Sequence, residues 1–295
     1  MRLSGIARIG LGLAAVGRPG YITLGRAGDL PRDRTVEAMR TRAHDLLDAA
    51  WAAGVRYFDV ARSYGRAEEF LASWLPGHEG ALAGSKWGYT YTANWRITAE
   101  VHEVKDHGVA TFDRQLAETR ALLGDALTLY QIHSVTPDSP ALTDRALHRR
   151  LAGQGATVGL STSGPAQADT IRAACAIEVD GEPLFRSVQS TWNLLEPSAG
   201  PALAEACATG RTVIVKEALA NGRLLAHRSD AVALAAALHQ PWATVVLSGA
   251  ATTAQLASNL RAAGLTLTPA ELDELSALAE PPDRYWRTRS ALPWT

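Results

Sequence analysis

Residues 55–64 read VRYFDVARSY, and this stretch decides the fold. Its β-branched and aromatic side chains predict a strand over residues 55–60, with the carboxylate of Asp59 where the strand ends. Tyr64 follows five residues later, in the loop that leaves the strand. An ionisable group at a strand end is typical of sites in parallel α/β proteins, whose strand ends meet on one face.

Two further strand-like runs also finish on an ionisable group. Residues 81–85 run into Lys86, and residues 127–132 run into His133. Other runs of strand length alternate with helix-like segments, at residues 6–15, 156–160, 185–189, 212–216 and 243–247. Eight strands that alternate with helices predict an α/β fold, the (β/α)8 TIM barrel. All strand C-termini meet on one face of such a barrel, so the ionisable groups are expected in one pocket.

The four side chains expected in this pocket are those of Asp59, Tyr64, Lys86 and His133. A tyrosine with an unperturbed pKa of about 10 is a poor acid at neutral pH. A neighbouring ammonium lowers that pKa, and a carboxylate keeps the lysine charged and in place. A histidine can donate a hydrogen bond to a carbonyl oxygen, so together the four groups would polarise a carbonyl and protonate the developing alkoxide. None of them can supply a hydride, so a cofactor must.

Three motifs around these residues, GVRYFDVARSYG, SKWG and YQIHS, resemble those of the aldo-keto reductase family. The resemblance covers nearly the whole chain and implies a (β/α)8 barrel that binds NADP or NAD. It also implies that Tyr64 is the general acid/base, assisted by Lys86, Asp59 and His133. The implied activity is reversible hydride transfer between the nicotinamide and an aldehyde, ketone or sugar-like alcohol.

The composition suits one barrel without nucleic-acid or membrane partners. Hydrophobic residues make up 47% of the 295 residues, which is ample for a large core. The net charge is −1 and no basic or acidic run occurs, which argues against nucleic acid and anionic membranes. No apolar run approaches about 18 residues, so no span is expected, and the chain is predicted to be cytoplasmic. No metal site is predicted, because the two histidines within residues 102–107 lack helical i, i+4 spacing.

We expect a single barrel over residues 1–295, with three added segments near its catalytic face. A Gly- and Pro-rich loop near residues 17–31 is either solvated or a flap over cofactor or substrate. An aromatic loop near residues 87–95, with no strand partner evident, favours a ligand pocket over a core. The tail at residues 281–295 combines aromatics with arginines, which suits an acidic or sugar-like substrate or a subunit partner. The substrate residues predicted from these aromatics are Tyr21, Trp87, Tyr89, Trp95, Trp192, Tyr285 and Trp286.

The resemblance also implies which residues hold the cofactor. A glycine in the first strand lets the backbone approach the nicotinamide, and residues at the ends of two later strands bind its carboxamide. Residues 217–222 resemble the family's pyrophosphate loop, and residues 248–260 correspond to the segment that holds the adenosine end. The implied cofactor residues are Gly12, Ser161, Thr162, Gln189, Lys216, Leu219, Asn221, Gly222, Gly249, Ala250, Gln255 and Asn259.

Three of these positions depart from the family pattern. Thr162 replaces the usual asparagine and cannot present an amide's donors and acceptor together. Lys216 stands where many members carry a tyrosine stacked on the nicotinamide. Gln255 stands where an arginine often binds the 2′-phosphate of NADP, and no residue between Ser248 and Leu260 is basic. An uncharged segment matches an extra phosphate poorly, so we expect weak NADP preference or a genuine NAD preference.

Two other functions are compatible with the sequence. One is a non-catalytic barrel, a regulatory or partner-binding subunit that keeps the nucleotide site only for sensing. The other is redox-neutral chemistry with a retained cofactor. All four catalytic side chains are present, which favours the enzyme.

Overall fold

Eight parallel strands close into a barrel in the computed structural model, which describes residues 5–22, 24 and 27–294. The described residues form twelve strands, of which β4 with β5 and β8 with β9 make two small separate sheets. They are β1 (Ile9–Gly12), β2 (Tyr57–Asp59), β3 (Leu82–Trp87), β4 (Tyr89–Tyr91), β5 (Glu103–Lys105), β6 (Leu127–Val135), β7 (Thr157–Thr162), β8 (Glu178–Val179), β9 (Glu182–Pro183), β10 (Ser187–Thr191), β11 (Thr212–Lys216) and β12 (Val245–Ser248). The order around the barrel is β1-β12-β11-β10-β7-β6-β3-β2. The predicted (β/α)8 TIM barrel is therefore confirmed. The first strand is shorter than predicted, since Gly5–Arg8 form a 3₁₀ turn.

Ten α-helices lie among the described residues, and one of the first eight follows each barrel strand. They are α1 (Val36–Ala52), α2 (Ala67–Trp74), α3 (Val109–Leu123), α4 (Arg145–Ala152), α5 (Gln167–Cys175), α6 (Gly200–Ala208), α7 (Asp230–His239), α8 (Thr253–Leu260), α9 (Pro269–Ser276) and α10 (Pro282–Ser290). The Thr35 hydroxyl caps α1 by accepting a hydrogen bond from the amide of Ala38. Helical spacing then turns Met39, Ala43 and Leu47 into the core. Within the described part of the chain, no helix has the length and hydropathy needed to cross a bilayer.

The inside of the barrel has a small core of its own, beneath the site. Glycines make room there for the ring of Tyr57: a Cβ at Gly84 would overlap the Tyr57 hydroxyl, and one at Gly10 would lie 2.9 Å from its ring. The ring thus fills the barrel axis, and its hydroxyl points at Asp59. The members of this inner core are Tyr57, Leu129, Ile214 and Val245.

The aromatic segment after β3 is not the unpaired loop that the sequence suggested. β4 pairs antiparallel with β5, with Tyr89 opposite Lys105 and Tyr91 opposite Glu103. The sequence does not predict the partner strand, because its three residues, Glu-Val-Lys, are largely exposed and show no alternation of apolar and polar side chains. The resulting hairpin stands at the catalytic face and brings both aromatic and acidic side chains there.

The other two added segments also reach this face. In the loop near residues 17–31, Arg18 is buried and Tyr21 is half-buried, whereas residues 23, 25 and 26 lie outside the described residues. The tail forms the helix α10 over most of its length, since Pro282 occupies a favourable first-turn position. Its last residue, Thr295, also lies outside the described residues.

Close packing between the 17–31 loop and the turn that carries Tyr64 makes Gly17 sensitive to substitution. A Cβ at Gly17 would overlap the carbonyl oxygen of Tyr64 and lie 2.5 Å from the Cβ of Ala67. Gly17→Ala should therefore lower the free energy of unfolding by about 1–3 kcal/mol, the usual cost of overpacking. Thermal unfolding followed by circular dichroism measures the change.

Gly153→Ala is the matched control. Gly153 follows α4 with an ordinary φ of −85°, and its nearest neighbouring atom would be 3.7 Å from an added Cβ. This substitution should be neutral or stabilise by up to about 1 kcal/mol, because alanine has fewer unfolded conformations. Equal melting temperatures for the two variants would contradict the close approach at Gly17.

Candidate active site

A cavity of about 390 Å³ opens at the C-terminal ends of the barrel strands. Its volume lies in the usual range for a small-molecule site. Asp59, Tyr64 and His133 line it, and Lys86 lies fully buried behind them. The structure thus brings the four predicted catalytic side chains together on the face where barrel enzymes hold their sites.

The buried carboxylate of Asp59 is the centre of this group. One oxygen accepts a hydrogen bond from Nζ of Lys86. The other accepts from Nε2 of Gln189 at 2.9 Å and from the hydroxyl of Tyr57 at 3.2 Å. Lys86 also donates to the carbonyl oxygen of Val60 at 3.0 Å. Both members of the ion pair are therefore held by partners on neighbouring and opposite strands.

Tyr64 lies beside the ion pair, in the turn before α2. Its ring centroid is 4.9 Å from Nζ of Lys86 and 5.5 Å from the ring centroid of His133, with the two rings nearly perpendicular. Burial and the charge of Asp59 raise the pKa of Tyr64 well above 10.0, and Arg18 opposes this. The expectation of a lowered pKa is therefore wrong for the protein alone, because burial and the charge of Asp59 outweigh the opposing effect of Arg18. Tyr64 keeps its proton and can donate it.

His133 is neutral in this environment. Burial lowers its pKa well below 6.5, and the nearby charges of Lys86 and Lys216 lower it further. Its Nδ1 lies 3.4 Å from the hydroxyl of Ser63, and its ring lies edge-on to Tyr89 with centroids 5.1 Å apart. A neutral imidazole can donate a hydrogen bond to a carbonyl oxygen and adds no charge beside the phenol of Tyr64.

The cavity extends away from Tyr64 along the loops that follow β11 and β12. All predicted cofactor residues except Ser161 and Thr162 line it. Those lining residues are Gly12, Gln189, Lys216, Leu219, Asn221, Gly222, Gly249, Ala250, Gln255 and Asn259.

The side chains and backbone of this end fit a nicotinamide dinucleotide. Oδ1 of Asn221 is a buried acceptor that has no hydrogen-bond partner among the described residues. A Cβ on Gly249 would meet nothing within 4 Å, so the backbone there is open to a ligand. The helix α8 begins beside it, and Asn259 shares a 2.8 Å hydrogen bond with the hydroxyl of Ser248. A buried acceptor, open backbone and a helix N-terminus suit the hydroxyls and phosphates of a dinucleotide.

Ser161 and Thr162 do not reach the cavity, which corrects their predicted role. Both are fully buried, because β7 continues to Thr162 instead of ending at residue 160. The hydroxyl of Ser161 accepts from the amide of Ser134 at 2.8 Å, and that of Thr162 donates to Ser190 at 2.8 Å. Their hydroxyls therefore join neighbouring strands, and Ser134 and Ser163 line the cavity instead.

Of the predicted substrate residues, only Tyr21 and Tyr89 are among the described residues that line the cavity. Trp87 is fully buried against Phe112, with ring centroids 5.1 Å apart, because β3 extends through it. Trp95 packs edge-on to Phe70 on the outside of the cavity, at 6.2 Å between centroids. Both tryptophans are structural in this arrangement, contrary to the expectation from aromatic density.

Three more predicted substrate residues also lie outside the cavity lining. Trp192 packs edge-on to Trp242, with centroids 5.8 Å apart. Tyr285 is fully buried, and its hydroxyl accepts a hydrogen bond from Nδ2 of Asn193 at 3.0 Å. Trp286 is 5% exposed and belongs to the main core. α10 turns the rings of Tyr285 and Trp286 inward, so these two residues anchor the tail instead of meeting a substrate.

The mouth of the cavity contains side chains that were not predicted from the sequence as site residues. The guanidinium carbon of Arg18 lies 4.7 Å from the ring centroid of Trp294, 5.1 Å from that of Tyr21 and 5.3 Å from that of Tyr64. Nη1 of Arg18 donates to Glu103 at 3.0 Å. The loop, the hairpin and the tail thus meet over Tyr64. Arg18 and Glu103 lie in no motif, and only the folded chain brings them together.

A second ionic cluster lines the cavity where β11 ends. Arg289 donates to both carboxylate oxygens of Glu217 at 2.5–3.1 Å. Nζ of Lys216 donates to the hydroxyl of Thr191 at 2.8 Å and lies 3.7 Å from Glu217. Burial would raise the pKa of Glu217, but the charges of Arg289 and Lys216 outweigh it and lower that pKa to about 2. Burial lowers the pKa of Lys216 to about 8.

The arrangement can polarise and protonate a carbonyl, but it holds no side chain that can give a hydride. A neutral imidazole and a protonated phenol face the same space, beside a balanced ion pair. In the part of the chain that the structure describes, no three His, Cys, Asp or Glu side chains are grouped to hold a metal ion. The chemistry therefore points to a group bound in the rest of the cavity.

Solved structures with the same fold come from several bacteria. A protein described as an aldo-keto reductase from Pseudomonas aeruginosa is 24% identical, with a TM-score of 0.65 over 87% of this chain and 89% of that one. The holo form of an aldo-keto reductase from Bacillus halodurans is 19% identical, with a TM-score of 0.69 over 95% and 96%. A glycerol dehydrogenase from Gluconobacter oxydans is 18% identical, with a TM-score of 0.68 over 93% and 92%. At these identities the likeness shows the fold alone.

A comparison of sequences is more specific. No curated protein is similar enough to match the chain. The model of the aldo/keto reductase family, however, matches residues 8–231, which is most of the chain and includes every predicted catalytic residue. The chain therefore belongs to the aldo/keto reductase family, a family of oxidoreductases.

Proposed function

We propose that the protein transfers a hydride reversibly between a nicotinamide cofactor and an aldehyde, ketone or sugar-like alcohol. The observation that carries this proposal is one cavity with two complementary ends. Tyr64, Lys86, Asp59 and His133 cluster at one end, and the other end fits a dinucleotide. Membership of an oxidoreductase family supports the same activity.

Each of the four side chains has a separate role in this proposal. The bound nicotinamide supplies the hydride. His133 donates a hydrogen bond that polarises the substrate carbonyl, and Tyr64 gives its proton to the oxygen as negative charge develops there. Lys86 stabilises the phenolate that remains, and Asp59 holds the side chain of Lys86 in place. In alcohol oxidation the phenolate of Tyr64 takes the proton back.

The mouth of the cavity supports a substrate that carries hydroxyl groups. Its charges come in pairs, Arg18 with Glu103 and Arg289 with Glu217, which offer hydrogen-bond donors and acceptors without a large net charge. Tyr21 adds an aromatic surface. The name of the glycerol dehydrogenase from Gluconobacter oxydans specifies an alcohol of this type. We therefore include sugar-like alcohols in the proposed substrate class.

Replacing Tyr64 with phenylalanine tests the proposed acid/base. Tyr64→Phe should lower turnover by about 10²–10⁴-fold, the range that general acid–base catalysis contributes. Nucleotide binding should persist, because the ring is kept. Absorbance of the reduced cofactor, with a panel of aldehydes, ketones and sugars, measures turnover, and fluorescence titration measures Kd.

Tyr130→Phe is the matched control, since it removes a buried hydroxyl from β6 outside the cavity lining. Its turnover should stay near that of the unaltered protein. Loss of nucleotide binding as the main effect of Tyr64→Phe would contradict its assigned role. A protein that binds nucleotide but turns over no member of the panel would instead be a sensing barrel.

The structure adds a reason to propose NAD as the preferred cofactor. Nε2 of Gln255, at the start of α8, donates to the carboxylate of Asp29 at 2.6 Å. The side chain that stands where the resemblance places the arginine for the 2′-phosphate of NADP is therefore an amide held by a carboxylate, and not a cation. Arg42 is also near, but its Nη1 donates to the carbonyl oxygens of Asp29 at 2.6 Å and Ala251 at 3.0 Å. Arg223 is bound to Glu280 instead of reaching this end.

Removing the charge of Asp29 tests this preference. NADH should bind more tightly than NADPH to the unaltered protein, and Asp29→Asn should tighten NADPH by about tenfold relative to NADH. One lost repulsion of about 1.4 kcal/mol corresponds to that factor. Titrations with both reduced cofactors give the two Kd values.

Asp33→Asn controls for a general change in charge, because Asp33 is an exposed carboxylate of the same segment. It should leave the ratio of the two Kd values unchanged. If NADPH binds the unaltered protein a hundredfold or more tightly than NADH, the proposed preference is wrong.

A further inference from the structure

Charged side chains around the end of the cavity that holds Tyr64 form ion pairs, and Lys216 adds a positive charge that these pairs do not balance. The pairs are Lys86 with Asp59, Arg18 with Glu103, and Arg289 with Glu217. Lys216 hydrogen-bonds to the neutral hydroxyl of Thr191, and the carboxylate 3.7 Å away is already held by Arg289 on both oxygens. This cluster of two cations and one carboxylate retains one positive charge.

Lys216 lies near the groups that would carry out the reaction. It ends β11 and lines the same cavity as Tyr64 and Gln189. Its charge is among those that lower the pKa of His133. Hydride transfer requires the nicotinamide to contact a carbonyl carbon whose oxygen reaches Tyr64. The ring therefore has to lie in the end of the cavity that Lys216 lines.

On the basis of the function proposed above, we propose that Lys216 sets the redox balance of the bound nicotinamide by disfavouring its oxidised form. The oxidised ring carries a positive charge, whereas the reduced ring is neutral, so a nearby ammonium repels the first and not the second. Charges interact more strongly in a buried site than in water. The reduced cofactor should bind more tightly than the oxidised one.

The consequence is a preferred direction of reaction. A bound couple whose oxidised form is destabilised is a stronger oxidant than the same couple in water. In alcohol oxidation, the carbon–hydrogen bond of the alcohol breaks and its hydride joins the nicotinamide. The hydroxyl proton passes to the phenolate form of Tyr64, which becomes a neutral phenol, and a carbonyl group forms. Lys216 thus favours this direction at the site, and the sequence alone did not indicate a direction.

Lys216→Met tests the inference, because methionine keeps most of the length and removes the charge. The readout is the ratio of Kd for oxidised to Kd for reduced NAD, measured by fluorescence titration without substrate. In Lys216→Met this ratio should fall by about tenfold, through tighter binding of the oxidised form. Lys216→Arg keeps a positive charge and should retain the ratio of the unaltered protein.

Lys105→Met is the matched control. The chain has three lysines, and Lys105 is an exposed one on the hairpin, outside the cavity lining. Its loss removes the same charge from the same face and should leave the ratio unchanged. If Lys216→Met weakens both forms equally, Lys216 only shapes the cavity and the inference is overturned. If the unaltered protein binds neither form, the proposed function fails together with the inference. A binding defect that occurs only in the variant leaves the proposed function intact.

The unaltered protein provides a second measurement that needs no variant. The groups that face Lys216 are Glu217 and Thr191, Arg289 from α10, Lys86 from β3 and His133 from β6. Burial lowers the pKa of Lys216 to about 8, whereas the pKa of Glu217 is lowered to about 2 and that of His133 lies well below 6.5. As the pH rises from 7 to 9.5, Lys216 loses its charge, so the Kd of the oxidised form should fall relative to that of the reduced form. A ratio that stays constant over this range would overturn the inference even if the variant failed to fold.

Discussion

The buried ion pair between Asp59 and Lys86 is the interaction on which the rest of the site depends. Two charges removed from water persist in a protein only when additional hydrogen bonds satisfy them. Here Gln189 and Tyr57 donate hydrogen bonds to the carboxylate of Asp59, and the ammonium of Lys86 donates one to the carbonyl oxygen of Val60. The pair joins β2 to β3, and Gln189 ties it to β10 across the barrel. The carboxylate that links side chains of β2, β3 and β10 is therefore also the one beside the proposed acid.

The cavity combines two kinds of structure. Its floor consists of strand ends, which a closed parallel sheet holds rigidly. Its mouth consists of the loop, hairpin and tail, which meet through Arg18, Glu103 and Trp294. The floor carries the groups that resemble the family motifs, whereas the mouth carries Arg18, Glu103 and Trp294, which lie in none of those motifs. In the function that we propose, the floor would carry out the chemistry and the mouth would select the substrate, as binding residues are often found on loops held by a rigid scaffold.

Local patterns explain what could be predicted from the sequence. Strand ends at Asp59, Lys86 and His133 are visible as short apolar runs that stop at an ionisable residue, and these placed the barrel and the pocket correctly. Strand lengths were less visible: β3 and β7 each continue past the predicted end, which buries Trp87 and Thr162. The hairpin strand β5 has no apolar pattern to find. Contacts between distant segments and the balance of charge around Tyr64 depend on distances that only the folded chain defines.

The position of Trp294 also gives the protein an optical property. Trp294 lies at the cavity mouth, stacked on His102 with ring centroids 4.0 Å apart and close to the guanidinium of Arg18. Trp87 and Trp192 belong to the core and do not line the cavity. A molecule that enters the cavity changes the surroundings of the indole at the mouth and leaves the core indoles in their apolar setting. The intrinsic ultraviolet emission of the protein therefore contains one component that reports occupancy, above a constant background that reports folding.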